Sequence, residues 1–300
     1  MAKFSDLIVR AISGIVFVAI MVFCTVCRPW TLFALMGLLA ALGVDEFLNI
    51  SRKAWPDGEH GTLKAKILGI IEAEVPFLGA EVPFMMLAGQ QLRNTGTPCP
   101  MPTTDAAFHL LAITVAVWLL AFMAQAVAYL FKPVERPIER LGTSVLAQIY
   151  VTLPLMCIVL MTLLHSEPFW VFPLALYVFL WIDDSGAYLT GSMLGKHKLM
   201  PRVSPGKTWE GSIGGAVLAL TAAVIMAKLF PFMPLWKWLG MAATVVVTGT
   251  LGDLVESLFK RSLGLKDSGH IMPGHGGILD RIDSMLFAAP ATLVYLLLIL

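Results

Sequence analysis

IVRAISGIVFVAIMVFCTVC, residues 8–27, is a run of twenty residues with a single charge, Arg10, near its start. Roughly 20 mainly apolar residues in helical form cross the hydrocarbon core of a bilayer. The run is long enough to span, and no small-residue cleavage site follows it, so it reads as a retained span and not as a leader. The rest of the chain repeats the pattern. Of 300 residues 58% are hydrophobic and 14% charged, where soluble domains carry about 25% charged residues. A deficit of that size means that lipid surrounds most of the protein. Nine apolar segments can be drawn, at about 8–27, 30–48, 67–90, 106–131, 143–164, 168–189, 210–230, 237–256 and 284–300. Period-2 alternation is absent, so the expected class is an all-α polytopic membrane protein and not a barrel. With no room for a separate soluble domain, residues 1–300 are taken as a single transmembrane domain.

The third segment is the weakest, because Glu72, Glu74 and Glu81 interrupt it and Pro76 and Pro83 break its helix. The basic residues argue for keeping it. Nine spans with the N-terminus inside place 17 of the 21 Lys and Arg residues on the inside and only Arg28, Arg93, Lys228 and Lys237 outside. That asymmetry is what the positive-inside rule expects. Dropping the segment would send the first six inside cations to the other face. The three glutamates themselves are read as structural. Cys24 and Cys27 have CxxC spacing but no polar neighbours or third ligand, and read as small apolar residues of the first span. His109 and His165 read as interfacial or core histidines.

Two regions break the apolar pattern, both on the expected cytoplasmic side, and together they define a polar region at 181–284. They are WIDDSGAYLTGSMLGKHKLMPRVSPGKTWEGSIGG, residues 181–215, and LGDLVESLFKRSLGLKDSGHIMPGHGGILDRIDS, residues 251–284. In the second, Asp253, Glu256, Ser257 and Lys260 recur at i, i+3, i+4 and i+7, one face of a helix. Asp280 and Asp283 repeat the i, i+3 spacing where the last span begins. Between these pairs lies PGHGG, whose glycines let the backbone approach a ligand and present N–H groups to an anion. Carboxylates at several positions without His or Cys partners favour a hard cation, Mg²⁺ above all. Lys260, Arg261, Lys266 and Arg281 suit phosphate oxygens. Acids for a metal beside cations for phosphates is the layout of phosphoryl or nucleotidyl transfer.

In the first region SPGKT, 204–208, invites comparison with the nucleotide P-loop, but Pro201 stands where its first glycine would be and no strand is expected before it. What remains is a Ser-Pro-Gly turn presenting Lys207 and Thr208, followed by Glu210 at a helix start, a plausible phosphate site. Asp183 and Asp184 end the sixth span. Either could complete a metal site or orient a lysine; the other reading is a solvated helix end.

The stretch S-x-x-K-R-x4-K-D-S-G-H-I-M-P-G-H-G-G-I-L-D-R-I-D, 257–283, resembles the signature of the phosphatidate cytidylyltransferases, also called CDP-diacylglycerol synthases. DSGAYLTGSMLGKHKL…VSPGKTWEG resembles that family's second recurring block. Met272 departs from the usual Leu, Ile or Phe, with similar volume. The resemblance implies that CTP and phosphatidate give CDP-diacylglycerol and pyrophosphate, with the phosphatidate oxygen attacking the α-phosphorus. It implies Mg²⁺, with K⁺ as a candidate second cation, on the acids matching Asp253, Asp280 and Asp283, with Glu256 as a further candidate. The expected roles follow. Asp253, Asp280, Asp283 and Lys260 form the catalytic centre. Lys260, Arg261, Lys266 and Arg281 hold phosphates. Ser204 and Lys207 contact one substrate's phosphate, and Asp184 borders the substrate site. His275 is structural or a phosphate donor, with proton traffic as its other role. Partners implied are CTP, phosphatidate and membrane lipid, a homodimer by analogy, and no nucleic acid. The location implied is the cytoplasmic face of a bacterial inner membrane. A CTP-dependent polyprenol kinase and an ion-coupled transporter are the rival readings. The kinase would release CDP, and a transporter would tend to show matching halves, whereas the polar features here crowd into the C-terminal half.

Overall fold

A computed structural model describes residues 2–52, 104–131, 136–165, 168–265, 267–269 and 276–300. Among these residues the chain forms eight helices: α1 (Ala2–Cys27), α2 (Pro29–Arg52), α3 (Thr104–Phe131), α4 (Pro137–Leu163), α5 (Val171–Leu194), α6 (Trp209–Leu229), α7 (Leu235–Ser262) and α8 (Leu279–Ile299). They coincide with eight of the nine apolar segments. The third segment, with Glu72, Glu74 and Glu81, lies outside the described residues. By length and composition α2, α4, α6, α7 and α8 can each cross a membrane. Large apolar side chains face outward, as lipid requires: Phe23 is 66% and Leu130 79% exposed.

Several helices extend beyond the apolar runs. α7 continues past 256 to Ser262 and so carries Lys260 and Arg261 on its last turns, where cations oppose the helix dipole favourably. α5 does not stop at Asp183–Asp184 but runs on to Leu194, which corrects the expectation of a span end there. The cause is its seam with α6. A Cβ on Gly186 would stand 3.0 Å from the Cα of Gly215, and one on Gly191 would stand 3.5 Å from the Cα of Gly211. Small residues let the two backbones nearly touch. Thr190 Oγ1, on the same face, lies 2.7 Å from the Gly186 carbonyl and 3.2 Å from that of Gly211. The seam therefore continues a full two turns past the aspartates and buries Asp183, which is 5% exposed.

The segment 204–208 is not a turn. It is strand β2 (Ser204–Thr208), paired antiparallel with β1 (Lys198–Met200). The turn lies at 201–203, and a proline is tolerated at 205 because a two-stranded ribbon has only edges. Thr208 then caps α6, accepting the Gly211 N–H at 3.1 Å. Glu210 reaches back to the hairpin, accepting backbone N–H groups of Lys196 and His197 at 3.1 Å each and contacting His197 Nδ1 at 2.6 Å. Its position is thus that of a hairpin clasp.

α4 is irregular. Pro154 has no N–H for the Tyr150 carbonyl, and the helix widens to a π-turn over Gln148–Thr152. α8 packs centrally, against α7, α4 and α5. The two ends of the bundle differ in chemistry. At one, the start of α5, the 230–238 segment and His165 form an aromatic cluster, with His165 and Phe232 centroids 4.0 Å apart. At the other end the acids and lysines meet.

Candidate active site

α7 enters the polar end with the stripe read from the sequence. Ser257 Oγ donates to Asp253 at 3.2 Å, and Lys260 pairs with Glu256 one turn before it. Lys260 also reaches across to α8, 2.7 Å from Asp280. These three side chains are 13%, 1% and 8% exposed. One buried cation therefore stands between two buried carboxylates, an arrangement that holds only because the charges compensate. Asp280 is fully engaged: its second oxygen accepts the backbone N–H groups of Ser268 and Gly277, both at 2.9 Å. Gly276 makes the turn possible with φ 82°, a left-handed conformation that a side chain would resist.

A second ion pair lies beside the first. Lys207 of β2 is 2.6 Å from Asp253, both side chains about one quarter exposed. The hairpin thus brings the 204–208 block onto the α7 stripe. Asp283 stands within electrostatic reach of Asp253, Glu256 and Asp184. Its Oδ1 accepts the Ser284 N–H at 2.6 Å. Asp184 is in turn within reach of Lys207, Asp253 and Arg281. Asp253, Glu256, Asp280, Asp283, Asp184, Lys207 and Lys260 are therefore one cluster.

Other expected residues sit at its edge. Ser204 pairs with Met200 in the hairpin. Arg261 spends two donors on carbonyls, of Val203 at 3.5 Å and Leu265 at 3.2 Å, and so ties the hairpin turn to the end of α7. Arg281 is exposed. Lys266 and His275 lie outside the described residues.

Among the described residues no three His, Cys, Asp or Glu side chains converge as a ready metal cage. The donor set nonetheless suits Mg²⁺, which takes one or two carboxylates and completes its shell with water and phosphate oxygens. Asp253 and Asp283 are the pair best suited: Asp280 and Glu256 share the buried Lys260, whereas the pair of Asp253 with Lys207 is part-exposed.

One acid of this site was not read from the sequence. Glu46, near the end of α2 and 4% exposed, accepts the N–H groups of Ile278 at 3.0 Å and Leu279 at 2.9 Å, and the Ser268 hydroxyl at 3.2 Å. It therefore holds the start of α8 and the loop that feeds Asp280. The signal was there: Asp45 and Glu46 are the only acids in the second apolar run, and an ionisable residue inside a span is a functional candidate by default.

Comparison with known sequences finds relatives over part of the chain. A phosphatidate cytidylyltransferase of Staphylococcus aureus is 54% identical over 118 residues, which is 38% of this chain and 45% of that protein. Phosphatidate cytidylyltransferases of Staphylococcus haemolyticus and Staphylococcus saprophyticus are 51% and 48% identical over 118 and 116 residues, again 38% of this chain and 45% and 44% of theirs. The matched segment thus spans less than half the length of these relatives. The profile of the cytidylyltransferase family, in contrast, matches residues 8–299, so the chain belongs to the cytidylyltransferase family.

Proposed function

We propose that the protein is a CTP:phosphatidate cytidylyltransferase, a nucleotidyltransferase that makes CDP-diacylglycerol and pyrophosphate. The observation that carries this reading is the convergence of two lysine–carboxylate pairs, Lys207–Asp253 and Lys260 with Glu256 and Asp280, at one end of a bundle of apolar helices. The nucleophile, a phosphate monoester, is already an anion and needs no covalent intermediate on the protein. The protein's task is to bring two anions together and offset the charge that develops.

Lys207 suits the soluble substrate. Its pair with Asp253 is part-exposed, so CTP phosphates can draw the ammonium away and release the carboxylate. Lys260 is held more deeply and neutralises the acids that would otherwise repel the substrates. Arg281 and Lys266 extend the cationic rim, with Ser204 and Asp184 bordering the hairpin side. Asp253 and Asp283 would hold Mg²⁺, with Glu256 and Asp280 completing or orienting the site and K⁺ as a candidate second cation. Bound there, Mg²⁺ would offset phosphate charge and align the α-phosphorus.

The same reading places nine spans in a bacterial inner membrane, N-terminus and active site on the cytoplasmic side. Phosphatidate then arrives from the bilayer and CTP from water. A homodimer is part of the proposal.

Detergent-purified protein supplied with CTP, dioleoyl phosphatidate and Mg²⁺ is expected to release pyrophosphate. Release should require both substrates and stop with EDTA. CDP formed with a polyprenol, and no pyrophosphate with phosphatidate, would replace this reading with a lipid kinase.

A further inference from the structure

The π-turn of α4 carries polar groups that the site described above does not use. Gln148, Tyr150 and Thr152 are 6%, 6% and 3% exposed, and among the described residues the Gln148 amide, the Tyr150 hydroxyl and the Thr152 hydroxyl have no hydrogen-bond partner. Buried polar groups are nearly always paired, and leaving one unpaired costs stability. Three on one turn of a distorted helix call for a cause. π-turns recur at functional sites, where the added residue re-aims a side chain.

Tyr150 is the informative member. Its ring is wedged against Phe47, Phe259 and Phe287, at centroid distances of 5.5, 5.4 and 6.2 Å. These contacts fix the ring from three helices. Phe259 adjoins Lys260, and Phe287 stands one turn after Asp283. Tyr150 lies within electrostatic reach of Glu256, Asp283 and Asp253, yet bonds none of them. Two of the rings that hold it, Phe47 and Phe259, also line a half-open cavity of about 230 Å³ between α2, α4, α7 and α8, which Tyr150 itself does not line. Phe47 and Phe259 form part of its wall, with Leu146 and Leu263, while Glu256 and Lys260 supply its polar end. Among the described residues Tyr177 also has a buried hydroxyl, but its neighbours are Thr25 and Cys24.

We propose that Tyr150 is a substrate-binding residue, its hydroxyl donating to a phosphate oxygen of the lipid phosphomonoester whose glycerol and first acyl carbons occupy the apolar cavity. The inference rests on the cytidylyl-transfer reading for the identity of the lipid. A neutral donor is what a carboxylate-lined site needs on this side: it binds an anionic oxygen without discharging the acids. The apolar wall assigns it to the lipid and not to the nucleotide.

Tyr150→Phe tests this, because removal of an unpartnered hydroxyl has the opposite signature from removal of a structural one. The variant should melt no lower than the parent protein. Its KM for dioleoyl phosphatidate in mixed micelles should rise about tenfold, the weight of one hydrogen bond to a charged oxygen, with the KM for CTP unchanged. A second readout does not need turnover. Dioleoyl phosphatidate, compared with dioleoyl phosphatidylcholine, should raise the melting midpoint of the parent protein and raise that of the variant less. Tyr295→Phe, which deletes a hydroxyl bonded to the Lys237 carbonyl at 2.9 Å, should lower the midpoint and leave both KM values alone. A lower midpoint for Tyr150→Phe, an unchanged phosphatidate KM, or equal phosphatidate-induced shifts would each overturn the assignment. A parent protein that is stabilised by phosphatidate through Tyr150 but releases no pyrophosphate would keep the site and remove the reaction.

Discussion

Replacing Lys260 with methionine is expected to cost roughly 3–5 kcal/mol of stability and to lower turnover about 100-fold or more. The stability loss arises because the ammonium is the shared partner of Glu256 and Asp280, and both carboxylates are almost wholly buried. Methionine fills the volume but leaves two acids facing each other. The loss of turnover has a separate origin, since the same ammonium sets the charge balance of the site. The double variant Glu256→Gln with Lys260→Met separates the two. With one acid neutralised, most of the melting midpoint should return, while turnover stays low. If instead turnover returned with the midpoint, Lys260 would be a structural counter-ion and its place in the phosphate site would have to be given up.

The stripe that carries this prediction was legible in the sequence for a simple reason. Asp253, Glu256 and Lys260 belong to one helix, and helical periodicity is a local rule. The choice between partners was not. Lys260 finds Asp280 across a loop, and Lys207 finds Asp253 across a whole helix and a connection. Nothing in local spacing ranks Asp280 above Asp283 as the acid that the lysine takes. The hairpin escaped for a different reason: Pro205 and Gly206 are poor strand residues, and the ribbon exists because Glu210 and the Lys207–Asp253 pair hold it from outside. The extension of α5 likewise depends on glycines of another helix. Apolar runs, by contrast, gave eight helices nearly as drawn, because in lipid a backbone must satisfy itself within each segment. The π-turn is the exception that shows the rule's limit. Pro154 removes one donor, and a local irregularity appears that hydropathy cannot register.

Glu46 is where the longest reach and a large expected effect coincide. Its carboxylate serves as the cap that α8 lacks in its own sequence, since Ile278 at the N-cap has no side-chain acceptor. Glu46→Ala would strip two buried backbone N–H groups and one hydroxyl of their acceptor. Each unsatisfied group costs about 1–3 kcal/mol, so a steep fall in the melting midpoint is expected. The effect on chemistry passes through Ser268 and Gly277. Glu46 fixes the Ser268 hydroxyl, while the backbone N–H groups of Ser268 and Gly277 fix Asp280. Glu46→Gln discriminates between support in general and this geometry. The amide keeps one oxygen acceptor but turns two N–H donors toward a region already crowded with donors. It should lose turnover nearly as far as the alanine variant while remaining folded, with substrate KM values little changed because Glu46 spends its oxygens on the protein's own N–H and hydroxyl groups. Parental turnover in Glu46→Gln would mean that the start of α8 holds Asp280 without help from α2. A low kcat at unaltered KM would instead make α2 part of the active site, although its side chain never meets the reacting atoms.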